Sequence, residues 1–373
     1  TTTVDTVAPP APVLDPSNGS VVSGTAEAGA TVILTDGSGN PIGQTTADGA
    51  GNWSYTPATP LPNGTVITAV AQDAAGNGSG PASTTVDSVA PPAPTIDASN
   101  GSVISGTAEA GATVILTDGN GIPIGQTIAD GSGNWSFTPG TPLPDGTVIN
   151  ALARDAAGNN SSPVSTTVDA VAPSAPTLDA SNGTVITGTV EPGVKVILTD
   201  GNGDPIGEAI ADGSGNWSFT PATPLPDGTV INAIAQDAAG NNSGPVTTTV
   251  DAVAPPAPVI DPSNGSVISG TAEAGATVIL TDGNGDPIGQ AIADGSGNWS
   301  FTPGAPLPDG TVINAVAQDA AGNSSGPATT TVDAVAPPAP VIDPSNGSVI
   351  SGTAEAGATV ILTDGSGNPI GQA

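Results

Sequence analysis

The stretch "NWSFTPGTPLPDGTVINALARDAAGNN", residues 134–160, contains two extended segments separated by a Pro- and Gly-rich turn. The second segment places Ile149, Ala151 and Ala153 on one side and a mixed set that begins at Val148 on the other, which is typical of a β-strand. Because the second set is mixed, the sequence leaves open which side is buried. No stretch of the chain shows helical periodicity with capping residues, so we predict an all-β fold.

This passage recurs at a fixed interval. The tryptophans lie 82 residues apart, at Trp53, Trp135, Trp217 and Trp299. The Asp of each "VD" pair shows the same step, at Asp5, Asp87, Asp169, Asp251 and Asp333. This period is too long for leucine-rich, ankyrin or propeller-blade repeats and suits a whole small domain. The predicted boundaries are the end of a preceding repeat at 1–5, repeat 1 at 6–87, repeat 2 at 88–169, repeat 3 at 170–251, repeat 4 at 252–333, and a partial repeat 5 at 334–373.

Each repeat is predicted to be an Ig-like β-sandwich of seven strands, because short strand candidates alternate with turn residues. In repeat 2 the candidates are A (94–98), B (102–109), C (112–118), D (122–130), E (134–139), F (146–155) and G (164–169). The "APPAP" segment before strand A is expected to stiffen the link between repeats, so the tandem array is predicted to form an elongated rod. Repeat 5 carries strands A to D only, and since half a sandwich cannot close its core, we expect the sequence to be part of a longer array.

Each of the four full repeats contains one Trp with a Tyr or Phe two residues later, so that both rings lie on one face of strand E. We interpret these pairs as anchors of a small core, with a stacking platform for sugars as the alternative. The "DGNGDP" motif that begins at Asp200 has Asp200, Asn202 and Asp204 at the spacing of an EF-hand start, but Pro follows where Gly is required, so we predict a C–D hairpin turn. The "NGS" and "NGT" triplets match glycosylation sites, and we interpret them as tight turns.

Composition excludes several classes of function. The 373 residues include 34 carboxylates but only two basic residues, Arg154 and Lys195, for a net charge of −32. Binding to nucleic acid requires Lys and Arg that neutralise phosphates, so nucleic acid is excluded as a partner and an anionic membrane is disfavoured. No apolar run approaches the roughly 20 residues that span a bilayer, so no direct membrane insertion is predicted and any export signal is expected outside this sequence.

Two further compositional features bear on folding and location. Gly and Pro form about a quarter of the chain, which leaves disorder as an alternative, but regular apolar runs such as "TVILTD" favour folded strands. The absence of Cys fits a bacterial surface better than a disulfide-stapled ectodomain. With no His or Cys and one Lys, nucleophile–base pairs are nearly unavailable, and we predict that the chain is not an enzyme.

Carboxylates are expected to gather where repeats meet. In a sandwich of this order, the start of strand A and the B–C, D–E and F–G loops share one end. In repeat 2 that end collects Asp87, Glu109, Asp130 and Asp155, and the opposite end of the preceding repeat, with acids such as Asp15 and Asp36 in repeat 1, is expected to face the same junction. Ca²⁺ takes six to eight oxygen ligands in flexible geometry, so calcium at the junctions is predicted, with plainly solvated acids as the alternative. The weaker candidate ligands in the B–C and D–E loops are Glu27, Glu109, Glu191, Glu273, Asp48, Asp130, Asp212 and Asp294.

The motifs "VDxVAPxAPxxD", "SGTAEAGATVxLTDGxG" and "DGxGNWSFTPxTPLPDGT" followed by "DAAGN" resemble the bacterial Ig-like repeats of Bap-type biofilm-associated proteins and giant RTX adhesins. The resemblance covers the whole chain and implies a surface protein of Gram-negative bacteria, associated with the outer membrane and exported by type I secretion. It also implies that calcium stiffens the junctions. Carried over to this sequence, the implied ligands pair Asp5 with Asp73, Asp87 with Asp155, Asp169 with Asp237 and Asp251 with Asp319, and Asp333 lies in the last linker.

The leading functional hypothesis is therefore a structural extender that projects an adhesive tip for attachment and biofilm formation. No RTX nonapeptides, anchor domain or ligand-binding module occur in this sequence, so the ligand of the tip is left open. Two alternatives remain at this point: repeats that bind glycans directly or bind one another in homotypic cell–cell contacts, and a subunit of a self-assembling surface filament.

Overall fold

The computed structural model describes residues 4–373, so part of the strand end predicted at 1–5 lies outside the described residues. These residues form thirty β-strands and no helix, which confirms the all-β prediction. The described chain consequently holds no helix that is long and apolar enough to cross a membrane.

The strands follow the same order in each repeat. Repeat 1 contains strands A to G as β1 (Val13–Leu14), β2 (Val22–Thr25), β3 (Thr31–Asp36), β4 (Pro41–Thr46), β5 (Asn52–Tyr55), β6 (Val66–Gln72) and β7 (Ala82–Thr85). Repeat 2 contains strands B to G as β8 (Ile104–Thr107), β9 (Thr113–Asp118), β10 (Pro123–Ile128), β11 (Asn134–Phe137), β12 (Val148–Arg154) and β13 (Val164–Thr167). Repeat 3 contains B to G as β14 (Ile186–Thr189), β15 (Lys195–Asp200), β16 (Pro205–Ile210), β17 (Asn216–Phe219), β18 (Val230–Gln236) and β19 (Val246–Thr249).

Repeat 4 again contains strands A to G, as β20 (Val259–Ile260), β21 (Ile268–Thr271), β22 (Thr277–Asp282), β23 (Pro287–Ile292), β24 (Asn298–Phe301), β25 (Val312–Gln318) and β26 (Ala328–Thr331). Repeat 5 contains A to D as β27 (Val341–Ile342), β28 (Gly352–Thr353), β29 (Ile361–Thr363) and β30 (Pro369–Gln372). In repeats 1 and 4 strands A, B and E form one sheet, and strands D, C, F and G form the other in that order. This arrangement confirms the predicted Ig-like sandwich.

Strand A is shorter than predicted, and in repeats 2 and 3 it is not a regular strand at all. The segment still pairs with strand B, because the Thr95 N–H donates to the carbonyl of Thr107 at 2.7 Å. However, the Thr107 N–H donates to the side-chain Oγ1 of Thr95 at 2.8 Å instead of to a backbone carbonyl. Thr177 accepts in the same way in repeat 3, whereas repeats 1 and 4 have Val at this position and form the strand. The hydroxyl therefore replaces one bond of the ladder.

The core lies between the two sheets. Ile149 and Ala153 of strand F are fully buried and Ala151 is 1% exposed, which settles the side that the sequence left open. Trp135 is 4% exposed and packs in this core, as do its equivalents, so the interpretation of the Trp as a core anchor is confirmed. Phe137 packs at the edge of the same cluster.

The C–D and A–B turns are as predicted. Asp200 ends strand C, and its Oδ1 accepts the N–H groups of Asn202 at 2.8 Å and Asp204 at 2.9 Å. This hairpin confirms the turn interpretation of the "DGNGDP" motif. In the "NGS" triplet of repeat 1, Gly19 has φ of 86° and the Ser20 N–H donates to Asn18 Oδ1 at 3.0 Å, as expected for a tight turn.

Close contacts divide the chain into two compact units, and the division passes through repeat 3. The first unit contains the described residues up to Ala175 with Val190–Val196 and Ile234–Pro245, and the second contains Pro176–Thr189, Ile197–Ala233 and Val246–Ala373. The bonds that cross the junctions of repeats 1–2 and 2–3 lie within the first unit, and those of repeats 3–4 lie within the second.

Candidate functional site at the repeat junctions

At the junctions of repeats 1–2, 2–3 and 3–4, the linker aspartate bonds to the repeats on both sides of it. The Asp87 N–H donates to the carbonyl of Ser17, in the A–B loop of repeat 1, at 3.0 Å. The Asp87 carbonyl accepts from Nδ2 of Asn159, in the F–G loop of repeat 2, at 2.8 Å. Its carboxylate caps the linker itself, because Oδ1 accepts the Val89 N–H at 3.0 Å. The backbone of a single residue thus connects two loops from neighbouring repeats.

The same pattern recurs along the chain. The N–H groups of Asp169, Asp251 and Asp333 donate to the carbonyls of Ser99, Ser181 and Ser263 at 3.1, 3.1 and 3.0 Å. The carbonyls of Asp5, Asp169 and Asp251 accept from Nδ2 of Asn77, Asn241 and Asn323 at 3.1, 2.7 and 2.7 Å.

The F–G aspartate is held by its own loop. Asp155 Oδ1 accepts the backbone N–H of Asn159 at 2.8 Å, and Oδ2 accepts the side-chain Nδ2 of the same residue at 2.7 Å. Ser161 anchors the loop to strand F, since its Oγ accepts the Ala153 N–H at 2.9 Å in a buried position. In repeat 1 the side-chain amide of Asn77 is the main cause that lowers the pKa of Asp73, so this carboxylate is ionised at neutral pH. Both carboxylate oxygens of the F–G aspartate therefore already accept a bond, and a cation would have to share or displace it.

Acids of three chain segments line common cavities. A cavity of about 220 Å³ at the junction of repeats 3 and 4 is lined by Asp251 of the linker, Glu273 of the B–C loop and Asp319 of the F–G loop, together with Ser181 and Thr249 of repeat 3. A cavity of about 480 Å³ at the start of repeat 1 is lined by the equivalent Asp5, Glu27 and Asp73. The structure thus brings the linker, B–C and F–G candidates to one end of the sandwich.

Glu191, the B–C loop candidate of repeat 3, accepts a hydrogen bond from the linker before its repeat. Its Oε1 accepts the N–H of Ser174 at 3.0 Å, which is the main cause that lowers the pKa of Glu191, and the negative charge of Asp237 opposes this shift. Ser174 replaces the second proline of the "APPAP" segment, and proline has no N–H to donate. Glu191 therefore lies near the F–G aspartate but bonds to the linker.

The D–E candidates bond within their own loop. This loop does lie at the same end as the B–C loop, since the Gly29 N–H donates to the carbonyl of Ala47 at 3.1 Å. However, Asp130 Oδ1 accepts the N–H groups of Asn134 at 2.9 Å and Ser132 at 2.8 Å, and these bonds lower its pKa. The equivalents Asp48, Asp212 and Asp294 have the same two backbone bonds.

The acids expected from the opposite end of repeat 1 also bond within that repeat. Asp15 Oδ2 accepts from the Ser23 hydroxyl at 2.7 Å. Asp36 accepts from the backbone N–H groups of Ser38 and Asn40 in its hairpin turn. Across residues 4–373, no group of three or more Asp, Glu, His or Cys side chains is arranged to hold a metal ion. The calcium ligands hence stay predictions.

Sequence reasoning missed several residues of the junction. The amides that follow the linker aspartates, at Ser88, Ala170, Ala252 and Ala334, donate at 2.8 to 2.9 Å to side chains of the E–F loops, which are Asn63, Asp145, Asp227 and Asp309. The bridging asparagine of "DAAGN" was also missed, although its recurrence in every F–G loop was visible in the sequence. The amides after the linker aspartates and the F–G asparagines both bond to residues distant in sequence, so no local pattern identified their partners.

Comparison with known proteins gives one family match. A family model described as "Bacterial Ig domain" matches residues 8–88, 90–170, 172–252 and 254–334. The predicted resemblance to tandem bacterial Ig-like repeats is thereby confirmed.

Similar solved structures include a biofilm-associated protein BSP domain, with 13% identity, a TM-score of 0.22 and coverage of 88% of this chain and 97% of that chain. Another is a structure of fibronectin(III)-like modules of Clostridium thermocellum CbhA, with 17% identity, a TM-score of 0.26 and coverage of 42% and 92%. At these values neither likeness bears on function. No curated protein matches the chain.

Proposed function

The chain belongs to the bacterial Ig domain family, and from this premise we propose that it is an extender region of a bacterial cell-surface adhesin. The observation that carries the proposal is the linker aspartate, whose backbone bonds to loops of both neighbouring repeats at the same spacing in three successive junctions, as Asp87 does. Such a junction restrains one sandwich against the next, which is the property that an extender requires. In this proposal the array is extracellular, has no enzymatic activity and projects an adhesive tip for attachment and biofilm formation.

Calcium is proposed as the ion that stiffens the junctions. The support is the common cavity lined by Asp251, Glu273 and Asp319, because like charges in one cavity repel unless a cation offsets them. Hard cations prefer oxygen ligands, and Asp251, Glu273 and Asp319 supply three carboxylates to the lining of this cavity. Low calcium inside the cell would leave the junctions less rigid, which suits passage of the chain through a secretion channel. Type I secretion and association with the Gram-negative outer membrane, which the resemblance to RTX adhesins implies, are part of the same proposal.

The calcium proposal is tested by titration calorimetry on the full chain. Asp319→Asn removes one carboxylate from the cavity and is expected to reduce the stoichiometry by about one Ca²⁺ ion per chain. Asp286→Asn is the matched control, because it removes the same charge from the exposed C–D turn of the same repeat. Equal stoichiometry in the wild type and both variants would contradict the assignment of this cavity.

Small-angle scattering tests the mechanical part of the proposal. The maximum dimension of the chain is expected to be greater and better defined in millimolar Ca²⁺ than in EDTA. An unchanged scattering profile after chelation would remove calcium from the mechanism while leaving the extender role intact.

Direct glycan binding by aromatic stacking has less support. All four Trp side chains are only 3 to 4% exposed, so they offer no flat surface to a sugar ring. The extender is therefore the function that the geometry supports best.

A further inference from the structure

One asparagine in each F–G loop bridges two oxygens. Nδ2 of Asn159 donates to Oδ2 of Asp155 at 2.7 Å and to the backbone carbonyl of Asp87 at 2.8 Å. A hydrogen bond to a carboxylate is stronger than one between neutral groups. The equivalent asparagines, which make both bonds at 2.7 to 3.1 Å, are Asn77, Asn241 and Asn323.

Asp87, whose carbonyl accepts from the Asn159 amide, is itself held on the preceding repeat. Asp87 donates its N–H to Ser17, which is 2% exposed. The Ser17 hydroxyl in turn donates to the Val21 carbonyl at 2.6 Å and accepts the Gly19 N–H at 3.0 Å. The A–B loop is consequently held by its own bonds, and the position of Asp87 follows that of repeat 1.

The same F–G loop also lies close to the A–B loop of the preceding repeat. A Cβ placed on Gly158, in the F–G loop of repeat 2, would lie 3.8 Å from Nδ2 of Asn18, in the A–B loop of repeat 1. The equivalent distances, from Gly240 to Asn100 and from Gly322 to Asn182, are both 3.9 Å. The two loops therefore approach each other in the same way at three successive junctions.

From these contacts we infer that the F–G asparagine is a positioning residue that docks each of repeats 2 to 4 onto the linker and A–B loop of the repeat before it, without any metal ion. The docked partner is the neighbouring repeat of the same chain. An amide suits this role because it supplies two N–H donors to two oxygens and carries no charge. An aspartate there would place a second carboxylate beside Asp155 and would lose both donors.

The neighbouring residue provides a matched control. Asn160 is also an F–G asparagine, but its Oδ1 accepts from Nε of Arg154 at 2.8 Å within repeat 2. Its side chain thus makes no described bond to the linker or to repeat 1.

The test measures the distance between repeats 1 and 2 in EDTA. The chain has no Cys, so cysteines at the exposed Ser54 and Ser136 allow two spin labels to be attached selectively to the full chain. The wild type is expected to give one dominant distance peak in EDTA, because the asparagine bonds do not need a metal ion, and the calcium proposal predicts that added Ca²⁺ narrows this peak further. Asn159→Ala is expected to raise the population outside that peak about fivefold, as for loss of one hydrogen bond between neutral groups, because the bond across the junction is to the backbone carbonyl of Asp87. Asn160→Ala is expected to leave the distribution unchanged.

Three outcomes overturn the inference: a broad wild-type distribution in EDTA, an unchanged distribution in Asn159→Ala, or equal broadening in both alanine variants. Thermal unfolding of each variant shows whether its sandwich is intact. If the alanine variant does not fold, Asn159→Asp keeps the side-chain shape, removes the donors and is expected to broaden the peak. Adding Ca²⁺ to the labelled wild type tests the calcium proposal separately, because the docking prediction concerns only the sample in EDTA.

Discussion

Substitution of the strand D glycine is expected to destabilise a repeat, because an aromatic ring occupies the space beside it. A Cβ on Gly125 would lie 2.1 Å from Cζ of Phe137 and 2.4 Å from Cε2, well inside van der Waals contact. Either the ring or the strand must move, and overpacking of this kind costs about 1–3 kcal/mol. For a domain of this size, 2 kcal/mol lowers the Tm by roughly 10 °C.

The effect is measured with alanine at all four equivalent positions, so that every repeat changes together. These positions are Gly43, Gly125, Gly207 and Gly289, each within 2.1 to 2.2 Å of a Tyr or Phe ring carbon. Each of the four full repeats carries one Trp, so thermal unfolding followed by Trp fluorescence reports on all four sandwiches. The matched control has alanine at four D–E loop glycines where a Cβ would meet nothing within 4 Å, which are Gly49, Gly131, Gly213 and Gly295.

The control chain is expected to keep the wild-type Tm or to exceed it slightly, since alanine restricts the unfolded chain more than glycine does. Combining Gly125→Ala with Phe137→Leu should cost less than the sum of the two single changes, because the smaller side chain leaves room for the methyl group. Equal Tm values for the two four-site variants, or additive costs in the double variant, would refute the proposed clash.

Two further predictions concern carboxylates. The N–H groups of Asn134 and Ser132 lower the pKa of Asp130, so this turn contributes stability above the ordinary Asp pKa of about 3.9 and loses it as the pH falls through the lower folded value. The measurement is made in 0.5 M NaCl, which screens the net negative charge of the chain. The Tm of the wild type should fall on acidification, and Asp130→Asn should reduce that fall. A Tm that does not change with pH would contradict this prediction. Ser174→Pro removes the N–H that Glu191 accepts and should raise the Glu191 pKa toward its usual value, whereas Ser174→Ala keeps that N–H and should retain most of the shift. Carboxyl NMR titration measures both variants, and identical Glu191 pKa values would count against the bond.

Most of the repeat architecture could be predicted from local sequence. Strand F was predicted at 146–155 and is observed at Val148–Arg154, and strand E was predicted at 134–139 and is observed at Asn134–Phe137. Strand A was predicted at 94–98, but no regular strand forms there, because the Thr95 hydroxyl accepts the Thr107 N–H, whereas repeats with Val at this position form a two-residue strand.

The junction was only partly predictable. Topology placed the linker, B–C and F–G acids at one end, and the cavity lined by Asp251, Glu273 and Asp319 agrees with that placement. The sequence did not reveal that the D–E aspartates bond within their own turns, because the choice between a local N–H and a distant partner depends on loop geometry.

The sequence by itself determined the 82-residue period, the order of the strands and the turns between them, because alternation, glycine and proline act over a few neighbouring residues. Only the tertiary structure decided which side of strand F is buried and which side chains meet at a junction. Asn159 contacts Asp87 across 72 positions of the chain, and that contact exists because two packed sheets bring the F–G loop to the end of the sandwich where the linker arrives.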